Sequence, residues 1–154
     1  MKKLVIMSDN HGATNHIEKV RLENPDADYY IHCGDFESYD DVVDGFIAVT
    51  GNNDWGSALN KYESLEVEGY KILICHGQQF GYFSREQYMV EFAKENHIDI
   101  LISGHTHMPL NEVIEGIHLI NPGSTYLPRG GSLPSYAILT IDQDQVQVEI
   151  IPFE

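Results

Sequence analysis

The most constraining feature of this chain is a pattern repeated at five places: a short apolar run, then a turn where aspartate, asparagine or histidine stands near glycine. The runs are Lys3–Met7, Asp28–Cys33, Phe46–Val49, Lys71–Cys75 and Asp99–Ser103. Each has the length and branching of a buried strand. They empty into Asp9-Asn10-His11-Gly12, Gly34-Asp35, Gly51-Asn52-Asn53-Asp54, His76-Gly77 and Gly104-His105-Thr106-His107. Ligand sites in α/β sheets lie outside the carboxyl ends of strands, so Asp9, His11, Asp35, Asn52, His76, His105 and His107 are expected to converge on one edge. His105 and His107, two apart, point their imidazoles to one side, and Gly104 leaves room for the backbone to turn around an ion. Turn chemistry accounts for any one of these segments, but not for the same coincidence at five strand ends. Seven oxygen or imidazole donors exceed what one ion needs, whereas two ions sharing one carboxylate use them all.

Between the runs, Asn15 and Glu18 read as a capping box for a helix reaching about Glu23, and Ser84 and Gln87 as another for a helix to about Glu95. Leu65–Val67 and Lys71–Cys75 form a hairpin, and Leu110–Ile114, Ile117–Ile120, Tyr136–Ile141 and Gln145–Ile151 are further strands. The chain is thus α/β at the start and mostly β at the end. At 154 residues with no linker-like stretch, residues 1–154 read as a single domain. The apolar start is cut short by Ser8-Asp9-Asn10-His11 before it resembles a secretory leader, and no run is long enough to span a membrane, which predicts a cytoplasmic protein. Cys33 and Cys75 lie inside apolar runs and read as core. With 24 acidic against 9 basic residues the net charge is −15, which excludes a broad nucleic-acid or anionic-membrane footprint. A small anion remains compatible, because bound divalent cations dominate the field inside a site.

Asp9-x-His11, Gly34-Asp35, Gly51-Asn52-x-Asp54, His76-Gly77 and Gly104-His-x-His107 together resemble, in order and spacing, the signature of the calcineurin-like metallophosphoesterases, and Asn121-Pro122-Gly123-Ser124 resembles a feature of the small single-domain phosphodiesterase branch. The resemblance implies two mixed β-sheets packed as a sandwich flanked by α-helices. It implies that Asp9, His11 and His107 hold one metal, that Asn52, His76 and His105 hold the other, and that Asp35 bridges them. The implied cofactors are two divalent ions per chain, Mn²⁺ first, with Fe, Zn, Co, Ni or Mg as substitutes. The implied activity is hydrolysis of a small phosphodiester through a metal-bridging hydroxide. A phosphomonoesterase and a non-catalytic protein-binding scaffold of the same fold are the alternatives, and the chain is compatible with a homo-oligomer. Many members carry histidine where this chain has Asn53. An amide cannot act as a general acid but can donate a hydrogen bond to a phosphoryl oxygen. Asp54, whose counterpart orients that histidine, is expected to support the loop.

Other residues carry weaker signals. His16, His32, His97 and His118 lie off the motifs and read as surface or hydrogen-bonded core. Arg129 reads as a solvated loop residue, and Ser124 as serving the Pro122-Gly123 turn. Trp55, Tyr82 and Phe83 follow two of the motifs closely; core packing is the favoured reading, with the wall of a substrate pocket as the alternative.

Overall fold

The computed structural model describes residues 1–154. Strand β1 (Lys2–Met7) leads through a loop to helix α1 (Thr14–Glu23), then β2 (Tyr29–His32) and the two-residue β3 (Ile47–Ala48). A second unit holds β4 (Tyr62–Val67), β5 (Tyr70–Cys75), helix α2 (Arg85–Glu95), β6 (Ile100–Ile102), β7 (Leu110–Ile114) and β8 (Ile117–Asn121). The chain returns to the first sheet with β9 (Ser135–Asp142) and β10 (Gln145–Pro152). The two five-stranded sheets have the orders β10-β9-β1-β2-β3 and β4-β5-β6-β8-β7. Both are mixed: β1, β2 and β3 run parallel, as do β5, β6 and β8, with antiparallel strands outside them.

Alternation along β1 explains the layering. Leu4 and Ile6 face the other sheet, in a core shared with Ile31, Ile72, Ile74, Ile100, Ile102 and Leu139. Val5 and Met7 point the other way, against Ile17 and Val20 of α1. Leu101 likewise points outward from its sheet, onto Met89, Val90 and Ala93 of α2. These strands read as unbroken apolar runs because both their faces are buried. The sandwich flanked by helices is the architecture expected. No helix is long and apolar enough to cross a membrane.

Neither helix starts with the capping box expected. Ala13 precedes α1 without a side-chain cap, and Asn15 lies inside the first turn. The entry is set instead by the preceding loop, where Asn10 Nδ2 donates to Ala13 O at 3.2 Å. Ser84 precedes α2 in a left-handed conformation (φ 52°) rather than the extended one a cap requires, and makes no cap bond. Arg85 anchors that entry by donating to Gly77 O and Gly81 O.

Candidate metal centre

Parallel pairing brings the carboxyl ends of β1, β2 and β3 to one edge of the first sheet, and those of β5, β6 and β8 to one edge of the second. The loops leaving them are sewn together. Asp9 N donates to Gly34 O, His11 N to Asp35 O and Gly12 N to Phe36 O, each at 3.0 Å. Across the two sheets, His105 N donates to Asp9 Oδ2 at 3.0 Å. Five of the seven expected donors, Asp9, His11, Asp35, His105 and His107, have left-handed φ values between 43° and 75°. That region costs a non-glycine residue about 1–2 kcal/mol, so the surrounding contacts over-determine these positions. Gly104 meets a different demand: a Cβ there would fall on Ser8 Oγ and lie 2.7 Å from Asp9 Oδ2.

The side chains gather as expected. Asp9 Oδ1 lies 3.3 Å from His107 Nε2, 3.8 Å from His11 Nε2 and 3.9 Å from His76 Nε2. His11 Nε2 and His107 Nε2 face each other at 3.0 Å. On the other side, Asp35 Oδ2 lies 3.3 Å from His76 Nε2, and His105 Nδ1 lies 3.3 Å from His76 Nε2 and 3.2 Å from Asn52 Oδ1. Asp9, His11 and His107 could close on one ion, and Asp9, Asp35 and His76 on another; Asp35 also falls within the reach of His11 and Glu37. The inward aim of the imidazoles is fixed from behind. His76 Nδ1 donates to Cys33 O and His107 Nδ1 to Leu127 O, each at 2.8 Å, which leaves both Nε2 lone pairs facing inward. His11 Nδ1 is held by the Glu37 carboxylate.

The electrostatics fit a cation. Asp9 Oδ1 is fully buried with no hydrogen-bond partner, an expensive arrangement for a carboxylate that a metal would satisfy. Burial pushes the carboxyls of Asp9 and Asp35 up, but neighbouring imidazoles outweigh it and hold both below the usual range. His76 shows the reverse balance: burial lowers its pKa, yet the Asp35 and Asp9 carboxylates leave it raised. The pair draws in positive charge, and a proton on His76 is what a divalent ion would displace. Burial and the positive charge of His76 and Arg85 lower His105 to about 4, which leaves its ring neutral and able to ligate.

Asn53 faces Asp35, donating its backbone N–H to Oδ1 at 2.9 Å and its amide to Oδ2 at 3.1 Å. Asp54 is fully engaged in the loop. Its Oδ2 accepts from Asp35 N and Gly51 N, each at 2.7 Å, and its Oδ1 from Glu37 N at 2.8 Å. Ser124 serves its turn, accepting from Tyr126 N and Leu127 N while donating to Asp9 O. His32 is a buried core histidine bonded to Asn10 Oδ1 at 2.7 Å, and Arg129 is an exposed loop residue.

A further expectation is overturned. Trp55, Tyr82 and Phe83 are 89%, 55% and 92% exposed rather than packed in the core, because they sit on loops at the mouth beyond the reach of either sheet. Two participants escaped sequence reading. Glu37 stands two residues after Asp35, a spacing that hints at a shared side, but it also looks like any loop glutamate. Arg85 joins the two histidine loops by donating to Gly77 O at 2.7 Å and Gly104 O at 3.2 Å, and nothing local distinguishes it from a surface arginine at a helix start.

This fold and donor set define a metal-dependent phosphoester hydrolase. Residues 1–144 match the calcineurin-like phosphoesterase superfamily domain, and the chain belongs to that family. A probable metallophosphoesterase of Bacillus subtilis, YsnB, is 32% identical over 148 residues, covering 94% of this chain and 88% of that protein. The phosphodiesterase MJ0936 of Methanocaldococcus jannaschii is 30% identical over 168 residues, covering 93% of this chain and 95% of its own. Among solved structures, a predicted phosphoesterase from Streptococcus pneumoniae TIGR4 superposes with a TM-score of 0.90 at 30% identity, over 98% of this chain and 89% of that one.

Proposed function

We propose that this chain is a dinuclear phosphodiesterase acting on a small phosphodiester. The observation that carries the reading is the position of Asp35, whose carboxylate lies within reach of both His76 and His11, one from each group of donors. Asp9, His11 and His107 would hold one ion, Asn52, His76 and His105 the other, and Asp35 both. Manganese is the first choice for this mixed shell, which would also accept iron, zinc, cobalt, nickel or magnesium. When bound, the ions would neutralise phosphoryl oxygens and lower the pKa of a water for in-line attack.

The chain's own groups do the rest. Nδ1 anchors fix the imidazoles of His76 and His107, and the buried Asp9 and Asp35 carboxylates remain ionised across the neutral range. Asn53, poised over Asp35, has a second amide hydrogen for a phosphoryl oxygen but no acid proton for the leaving group. Substrates with good leaving groups are therefore favoured. Arg85 directs its guanidinium to carbonyls and Arg129 is exposed, so little side-chain cation is at hand for a dianionic monoester. Named phosphodiesterase relatives support the same choice. The free, buried Cys33 and Cys75 accord with a reducing cytoplasm, and the acidic chain with a small substrate rather than nucleic acid or membrane.

The test is to strip the protein of metal, verify the stripping, and reload it with Mn²⁺ and the other ions in turn. Two metals per chain and restored hydrolysis of a diester over a monoester are the expected results. Undiminished hydrolysis without metal rules the mechanism out, and a protein that neither binds metal nor hydrolyses either ester is the scaffold instead.

A further inference from the structure

Trp55 is the only tryptophan of the chain, stands three residues after Asn52, and is 89% exposed. Tyr39, four residues after Asp35, is 85% exposed. Together with Glu37, Ser38, Asn53 and Asp54 they line one cleft of about 370 Å³. That volume lies within the usual range of small-ligand sites, about 300–1,000 Å³. The cleft adjoins the centre through Asn53, which lies in its wall and donates to both oxygens of Asp35.

The backbones under the two rings are braced while the rings are free. Glu37 N donates to Asp54 Oδ1 at 2.8 Å, and Ala58 N to Asp40 Oδ2 at 2.9 Å, so the loops carrying Tyr39 and Trp55 are tied to each other on both sides of the aromatic residues. Rings held on rigid loops present π-faces at low ordering cost to a flat partner. In the same lining, the Ser38 hydroxyl, the Glu37 carboxylate oxygen not engaged by His11 and the Asn53 amide oxygen are left to pair with the polar edge of a heteroaromatic ring.

We propose that Trp55 and Tyr39 form an aromatic subsite that takes the nucleobase of a phosphodiester held at the metal centre. This rests on the phosphodiesterase reading and names its substrate class, a nucleoside phosphodiester. Trp55 and Tyr39 determine specificity: they stack on the base and take no part in the chemistry.

The single tryptophan reports directly on the subsite. Titrating the metal-loaded protein with adenosine 5′-monophosphate should quench its emission saturably, and ribose 5-phosphate should not. In parallel, a nucleoside 5′-(4-nitrophenyl) phosphate and methyl 4-nitrophenyl phosphate are compared as substrates of the parent, Trp55→Ala, Trp55→Phe and Tyr39→Ala. The preference for the nucleoside ester, as a ratio of kcat/KM values, should fall about tenfold in Trp55→Ala, carried by KM, and recover in Trp55→Phe, in line with the loss of one base stack. Absence of quenching, an equal response to phenyl phosphate, or a parallel shift of both esters would overturn the subsite. If the parent hydrolyses neither ester, the phosphodiesterase reading fails separately, and quenching by the nucleotide alone still decides whether a base binds at Trp55.

Discussion

The two ends of the sandwich use the same unusual backbone for opposite purposes. At the far end, two-residue turns reverse β4 into β5 at Glu68-Gly69, β7 into β8 at Glu115-Gly116, and β9 into β10 at Gln143-Asp144. Glu68, Gly69, Glu115 and Gly116 all have positive φ, as tight hairpins require, and a Cβ on Gly69 or Gly116 would meet nothing within 4 Å. At the near end, positive φ falls on buried or half-buried Asp9, His11, Asp35, His105 and His107, and Gly34, Gly51 and Gly104 beside them have no room for a Cβ. Left-handed backbone at the far end only turns the chain. At the near end it aims carboxylate and imidazole side chains at one another, where an extended or helical backbone would direct them elsewhere, and tertiary contacts hold it there.

The largest expected effect sharpens this contrast. Asp35→Asn should lower turnover on the order of 10³-fold or more, comparable to loss of an electrostatic group in a dry site, while the chain stays folded. Near-parent turnover at verified metal occupancy would show that Asp35 does not join the two donor groups. Next, paired glycine substitutions test the ends against each other. Gly104→Ala should cost about 3 kcal/mol by driving a methyl into Ser8 and Asp9, and should release metal; Gly116→Ala should cost about 1 kcal/mol of backbone strain and leave metal content alone. Equal losses in urea unfolding would collapse the distinction.

A smaller effect comes from His32, buried beneath the near end. Burial first, with repulsion from His76, lowers its pKa to about 4 despite the pull of Asp9 and Asp35. The unfolded chain takes up a proton near pH 6.5, whereas the folded chain resists until about 4. The stability this histidine permits is therefore complete above pH 6.5 and declines as pH falls toward 4, by about 2 kcal/mol between pH 7 and pH 5. His76, with its pKa raised, contributes in the opposite sense in metal-free protein, stabilising below the unfolded pKa and losing that contribution as pH rises through its folded value. The reading is therefore the difference between parent and His32→Gln, and the variant should lose less stability on acidification. The smallest effect is expected of Asn53→His. Its gain on alkyl diesters over nitrophenyl diesters should stay under about tenfold, short of full general acid catalysis, because both oxygens of Asp54 are already bound by backbone N–H groups and cannot orient a new imidazole. Equal change on both substrates would show that position 53 does not face the leaving group.

The sandwich followed from the family resemblance that the motifs carry, while the sequence by itself determined the strands, their burial and the placing of aspartate, asparagine and histidine just past their ends. These are written locally: an apolar run shows its own length and branching, and an Asp or His beside a glycine at a strand end shows its own chemistry. Only the tertiary structure decided the rest. Asp9 and His105 are 96 positions apart, and the bond between them exists because two sheets bring their edges together. The same closure puts Glu37 behind His11, turns Arg85 from an ordinary helix-start residue into a clamp, and replaces the expected helix caps with contacts from neighbouring loops. It also leaves Trp55 in solvent, where its apolar ring had pointed to the core. For Asp9 with His105, His11 with Glu37 and Arg85 with Gly104, the deciding interaction joins residues 19 to 96 positions apart, so its energy has no local trace in the residues that make it.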